Sequence, residues 1–231
     1  MIAGMEKQVM ITGDGSHSIF VPDLNEHYHS IHGAVTESRH VFIRNGLGAV
    51  DRDVTAVRIL EVGFGTGLNV LLTWEEAKVK KRYIEYTAIE PLPLDAQTVA
   101  QLNYPLFIND EEAVRVFRAL HQAPWDQVTG VGHYFRLHKI RTEIGEAMLP
   151  EDWFHCIYYD AFGPEAQPGM WTGGIFNKMA LCLRYGGILV TYCAKGSVRR
   201  MMKSAGFRIE KLAGAPGKRE MTRAVKMEGK V

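Results

Sequence analysis

The segment Ile59-Leu60-Glu61-Val62-Gly63-Phe64-Gly65-Thr66-Gly67 holds the residue types of a nucleotide-binding turn. Glycine lets the chain turn tightly and lets a ligand approach the backbone at a strand end. A dinucleotide fingerprint needs its third glycine one residue later, where this chain has Leu68,. Glu61, just ahead of the loop, would repel a diphosphate. It suits a cofactor with a sulfonium and an α-ammonium group and no phosphate. Glu90 closes the next apolar run, where a carboxylate can accept hydrogen bonds from both ribose hydroxyls,. This pattern points to S-adenosylmethionine, with Glu61, Gly63, Gly65, Gly67 and Glu90 around it.

A second chemical position is Asp160, which ends the apolar run Cys156-Ile157-Tyr158-Tyr159 and leads into Ala161-Phe162-Gly163-Pro164. An acid ending such a run is costly unless it reaches solvent or a partner. In an open α/β sheet this is where chemistry sits. A carboxylate there can accept a hydrogen bond from an attacking amine, direct its lone pair and stabilise the positive charge that forms. The alternative is a helix N-cap or turn residue. Phe162, Pro164 and Trp171 offer a rigid apolar slot for a flat base; Trp171 reads equally well as core. His27, His29 and His32 match no zinc spacing, and no metal is expected. The hairpin Gly217-Lys218-Arg219-Glu220 is placed to grip phosphate.

These positions need elements to hold them. Val57 to Glu61, Arg82 to Ile89, Tyr134 to Ile140, Phe154 to Tyr159 and Ile188 to Cys193 read as strands,. Leu68 to Lys80, Leu94 to Leu102, Asp110 to Leu120, Ile175 to Leu183 and Val198 to Ala205 read as helices between or after them, the fourth ended by Gly186-Gly187,. Phe207 to Leu212 and Glu220 to Lys226 close the chain as a strand pair whose short connection makes them antiparallel. The expected fold is α/β, a Rossmann-like class I methyltransferase architecture with a seven-stranded sheet. One domain over 1–231 is expected, with an N-terminal extension (1–55), a core (56–231) and a helical insertion at 92–131. In the extension, a hairpin is expected around Gly13-Asp14-Gly15 and a helix over Thr36 to Asn45.

Composition fits this reading. The chain has 231 residues, 46% hydrophobic and 23% charged, which excludes a disordered or fibrous protein,. No apolar run approaches a membrane span. The start of the chain lacks a signal-peptide core. Cys156, Cys182 and Cys193 lie in apolar segments and read as reduced core residues, so a cytoplasmic protein is expected,. The net charge of +1 conceals an asymmetry: residues 195–231 carry eleven Lys and Arg against three Glu, a net +8, and the remainder carries −7. A polyanionic partner is one reading of that basic end, a solvated charged surface the other.

Six blocks together resemble one family: Thr12-Gly13-Asp14-Gly15-Ser16, Asn25-Glu26-His27-Tyr28-His29-Ser30, Thr36-Glu37-Ser38-Arg39-His40-Val41-Phe42, Val62 to Asn69, Asp160-Ala161-Phe162-Gly163-Pro164 with Pro168 and Trp171, and Gly217-Lys218-Arg219-Glu220-Met221. They span nearly the whole chain and look like the methyltransferase half of the bifunctional tRNA 5-methylaminomethyl-2-thiouridine biosynthesis family. The resemblance implies methyl transfer from S-adenosylmethionine to the amine of 5-aminomethyl(-2-thio)uridine at the tRNA wobble position. It implies that the loop glycines, Glu61 and Glu90 bind the cofactor, with Phe64 and Asn69 joining them, and that Asp160 is the acid at the amine. Where the family often has Asp after the third strand, this chain has Arg141-Thr142-Glu143, so Thr142 and Glu143 are the expected adenine-side contacts. Ala166-Gln167 stands where a Lys-Asn pair often precedes the family proline. Arg199, Lys218 and Arg219 are the expected tRNA contacts. The family's flavin-dependent oxidase half has no counterpart here, so no flavin is expected and a separate oxidase would be a partner. The other readings are a methyltransferase acting on a small-molecule or protein amine, and a non-catalytic module binding an adenosine compound.

Overall fold

Apolar alternation builds the centre of this protein. In the computed structural model, which describes residues 4–227, an extension precedes the main sheet. It holds a small antiparallel sheet of β1 (Gln8–Ile11), β2 (His17–Val21) and β3 (Glu26–His27). Helix α1 (Ala34–Ser38) then runs into a π-helical turn over Arg39–Arg44. The hairpin and the helical segment expected there are both present. Asp14 ties them together. It accepts hydrogen bonds from the Thr36 amide (2.9 Å), the Thr36 hydroxyl (2.7 Å) and the Ser16 amide (3.0 Å). Burial acts against its charge, but bonds from Ser16 and Thr36 outweigh it and hold the carboxyl at about 2,.

The main chain order is then β4 (Ala56–Val62), α2 (Leu68–Lys80), β5 (Tyr83–Ile89), α3 (Ala96–Ala100), α4 (Ala113–Gln122), β6 (Val128–Gly130), β7 (Phe135–Ile140), β8 (Phe154–Tyr159), α5 (Gly173–Cys182), β9 (Leu183–Thr191), α6 (Gly196–Ser204), β10 (Phe207–Ala213) and β11 (Glu220–Lys226). The sheet runs β10-β11-β9-β8-β4-β5-β7-β6. It has eight strands, not seven: the short β6 adds to the edge of β7 in antiparallel register. The closing pair is antiparallel as expected, and β11 lies between β9 and β10. Gly186-Gly187 does not end a helix. It lies inside β9, where the pairing with β8 shifts between Phe154 and Cys156. Gly186 takes φ +74°, so the pair forms a bulge that a side chain would strain,.

Strand parity divides the core. Val57, Ile59, Cys156 and Tyr158 face one side, with α2, α4 and the extension; Leu60, Val62, Ile157 and Tyr159 face the other, with α5 and α6. Helix α2 is buried from Leu68 through Trp74 on every side, because the extension covers the face that the sheet does not,. The three cysteines are buried and unpaired. Among the described residues no helix is long and apolar enough to cross a membrane. Glu228 and Lys230 of the basic segment lie outside the described residues.

Candidate active site

Four parallel strands end level with one another. Val62 pairs with Ile89 and with Tyr159, and Ile89 pairs with Ile140. The glycine loop, Glu90, the 141–143 segment and Asp160 therefore leave the sheet side by side along one edge. This shared edge is the geometry that the sequence motifs require.

Each loop glycine has a reason of its own. Gly63, Gly65 and Gly67 have φ of +94°, +47° and +72°, in the left-handed region,. A Cβ on Gly63 would stand 2.6 Å from the Asp160 carbonyl oxygen, and one on Gly67 2.6 Å from His121 Nε2. At Gly65 the neighbour is the Tyr28 ring, 3.2 Å away. Thr66 is clamped from two directions: its hydroxyl meets His29 Nε2 at 2.6 Å and its carbonyl meets His121 Nε2 at 3.1 Å. Burial pushes both imidazoles down to about 4, so they are neutral at neutral pH,. Glu90 folds back onto the loop. Its Oε2 accepts from the Gly65 amide (3.1 Å) and its Oε1 from the Leu92 amide (2.9 Å). Burial raises its carboxyl above the usual range.

Asp160 faces the same side of the sheet as Glu61, because strand parity places both with Tyr158. It accepts from Asn69 Nδ2 at 2.8 Å. Burial, offset in part by that bond, pushes its carboxyl up to about 7; the nearby Glu37 charge pushes the same way and Lys218 opposes it. Lys218 Nζ pairs with the buried Glu37 at 2.6 Å and lies 4.1 Å above the Tyr192 ring. Tyr192 in turn donates its hydroxyl to the Ala161 carbonyl at 2.8 Å. Tyr192, Ala194, Lys218, Arg219 and Glu220 line an open cavity of about 460 Å³ beside this strand end. Across the loop, Tyr28 meets Phe162 edge to face, 4.9 Å between ring centres. Pro164 follows on the same partly exposed loop, Thr142 is partly exposed and Glu143 exposed at the end of β7.

Several expected contacts lie elsewhere. Phe64 is buried against His121 and Trp125, in the core under the loop. Trp171 is core as well: it packs on Tyr159 and its indole N–H donates to the Phe162 carbonyl at 2.8 Å, so it shapes the slot from behind. Arg199 is no phosphate contact. Its buried guanidinium is spent on Glu220 (2.7 Å), Thr222 (3.0 Å) and the Met221 carbonyl (3.1 Å). Glu61 is fully buried at the end of β4. The three histidines have three separate partners, His27 on Phe20, His29 on Thr66, and His32 beside Gly217. Among the described residues no cluster of His, Cys, Asp and Glu is arranged for a metal. Sequence reasoning missed Tyr28, His29, Glu37, His121 and Tyr192. The first three lie inside the family-like blocks, which carried that signal without a role.

Known proteins resemble the chain in sequence and in fold. A family model described as S-adenosyl-L-methionine-dependent methyltransferase matches residues 132–227. The tRNA 5-methylaminomethyl-2-thiouridine biosynthesis bifunctional protein MnmC of Cupriavidus metallidurans is 32% identical over 92% of this chain, and that of Paracidovorax citrulli 29% over 89%. The chain spans 33% of the length of each. Among solved structures, MnmC2 from Aquifex aeolicus superposes with a TM-score of 0.78 at 24% identity, covering 99% of this chain and 73% of that one. Spermidine synthase from Thermotoga maritima shares the fold more distantly, with a TM-score of 0.55 at 11% identity, covering 97% and 75%. By fold and by relationship, the chain is an S-adenosylmethionine-dependent methyltransferase homologous to the methyltransferase half of the MnmC proteins.

Proposed function

We propose that this enzyme methylates the exocyclic amine of 5-aminomethyl(-2-thio)uridine at the wobble position of tRNA. The observation that carries the reading is Asp160: an acid held by Asn69 at the shared strand edge, with its carboxyl near 7, beside a cavity that bears Lys218 and Arg219. The donor set around the glycine loop suits S-adenosylmethionine. Glu90 and Asp160 supply negative charge near a cationic group. Gly63, Gly65, Gly67 and Glu90 would hold it, with Thr142 and Glu143 on the adenine side. When bound, it supplies an electrophilic methyl group on a sulfonium.

The chain's own residues prepare the amine. An alkylammonium arrives protonated and must lose a proton before its lone pair can act. A carboxylate with its pKa near 7 is well matched to accept that proton at neutral pH and to keep the nitrogen oriented. Tyr28 and Phe162 give the uracil ring an aromatic wall, and Pro164 stiffens the loop behind it. Arg219 lies where the nucleotide's phosphates would pass, and Lys218, paired with Glu37, lines the same cavity. Such a protein works where tRNA is, in the cytoplasm. If its substrate begins as a carboxymethylated amine, a separate flavin-dependent oxidase supplies it.

The test is direct. Purified enzyme, S-adenosylmethionine and tRNA bearing 5-aminomethyluridine should yield a wobble nucleoside heavier by one methyl group in mass spectrometry. Transfer to free polyamines or to protein, with none to tRNA, would overturn the proposal. Binding of S-adenosylmethionine with no transfer to any amine would leave the module as a binder.

A further inference from the structure

We propose that Lys139 is a positioning residue for the methyl donor: its buried ammonium pins the end of α4 so that His121 holds the Thr66 carbonyl and, with it, the bend of the glycine loop. This rests on the reading that the glycine loop holds S-adenosylmethionine. The starting point is a charge in an unexpected place. Lys139 lies in β7 and is fully buried. Phe135 and Leu137, which share its face of the strand, are core residues, so an apolar side chain would continue the pattern. Among the described residues no carboxylate pairs with it, and burial pushes its ammonium down to about 8,. A cation kept there without a counter-ion needs another source of stabilisation for its lost hydration.

Three neighbours supply it, and all belong to the support of the loop. Lys139 Nζ donates to the His121 carbonyl at 2.7 Å. His121 is in the last turn of α4, where carbonyls lack helical donors and the helix dipole is negative,. The same ammonium lies 4.5 Å from the centre of the Trp125 ring and 5.3 Å from that of Phe64,. Phe64 is the loop residue between Gly63 and Gly65. The other side of His121 completes the link. Its Nε2 meets the Thr66 carbonyl at 3.1 Å; a carbonyl only accepts, so Nε2 carries the proton of the neutral ring,. Its ring meets Phe64 edge to face, 5.2 Å between centres, and its Nε2 stands 2.6 Å from where a Cβ on Gly67 would be. Lys139 fixes the backbone of His121, and the His121 ring fixes the backbone of Thr66. Two hydrogen bonds thus run from the sheet to the middle of the glycine loop.

Lys139→Met keeps the length of the side chain and removes the donor. We expect it to weaken S-adenosylmethionine binding about tenfold in calorimetry, with kcat at saturating cofactor and KM for the amine substrate within about twofold. His121→Leu should weaken binding by a similar factor, and His121→Gln, which keeps a donor near the Nε2 position, should restore most of it. Because Lys139 acts through His121, adding Lys139→Met to His121→Leu should cost less than about threefold more. An undiminished cost in that background, or unchanged cofactor affinity in Lys139→Met, would overturn the proposal. If Lys139→Met does not fold, the His121 pair decides: a His121→Leu variant that binds like the wild type, or a His121→Gln variant as weak as His121→Leu, would overturn it. Failure of the loop reading looks different: Gly65→Val would then bind S-adenosylmethionine as the wild type does.

Discussion

Asp160 sits between two demands at the scale of single residues: it must be ionised to take a proton, yet its surroundings resist the charge. Its carboxyl stands at about 7, raised by burial and by Glu37, lowered by Asn69 and Lys218, with Tyr192 and Glu61 also facing it. Turnover should therefore fall as pH drops through about 7 and level off above it. Replacing Asp160 by Ala should cost turnover on the order of 10²–10⁴-fold while cofactor binding survives, as steady-state rates and calorimetry will show. The stability effect has the opposite sense. A carboxyl raised in the folded state contributes most below its unfolded value of 3.8 and loses that contribution as pH rises through about 7,. Asp160→Asn should thus raise the melting temperature more at pH 8 than at pH 5. Asp160 and the glycines were legible in the sequence because both mark strand ends, which apolar runs reveal. The full burial of Glu61 was not: it depends on which face of the sheet position 61 takes, and that is set by partners distant in sequence. Arg199 was misread for the same reason, since its burial against β11 leaves no local trace, and the two readings of Trp171 are separated only by its packing on β8 and α5.

At the scale of elements, the loop is held by its neighbours as much as by its own glycines. Thr66 lies between His29 from the extension and His121 from α4, both neutral at neutral pH. Their pKa values are lowered on folding, so their contribution is complete above the unfolded value of 6.5 and is lost as pH falls through about 4,. The glycines differ in how far their neighbours can yield. Gly63→Ala would press on the Asp160 backbone, which cannot give way, whereas Gly67→Ala would press on the His121 side chain. Both keep a left-handed φ that disfavours a side chain. In urea denaturation, we expect losses of about 1–3 kcal/mol for Gly67→Ala and more for Gly63→Ala. Gly169→Ala, with open space around it, should change stability by less than about 0.5 kcal/mol,. The helices and strands were largely visible from periodicity. The edge strand β6 was not, because three residues are too few to show alternation.

Over the whole molecule, the basic end is less free than its formal charge implies. Lys195, Arg199, Lys218, Arg223 and Lys226 are engaged with Glu165, Glu220, Glu37, Glu210 and Asp152, and Arg208 shares Glu210. Among the described residues Arg200, Lys203, Lys211 and Arg219 have no such partner. These are the cations with charge to spare for a polyanion. Arg219→Ala should weaken tRNA binding and reduce the slope of log affinity against log salt by about one. Cofactor affinity should be unchanged, and filter binding at several salt concentrations measures the slope. Lys218→Ala should act otherwise. It removes the positive charge that holds the Asp160 carboxyl down, so the acid limb of the rate profile should move to higher pH.

The place of β11 reaches beyond the finished structure. β11 is made after both β9 and β10 and is inserted between them. Until then β9 and β10 cannot meet, and each presents bare backbone donors and acceptors to whatever strand comes near. The nascent chain therefore passes through a state with an open seam one strand in from the edge of its sheet. Synthesis that halts before Glu220 would yield a sticky product with an incomplete sheet that chaperones must hold.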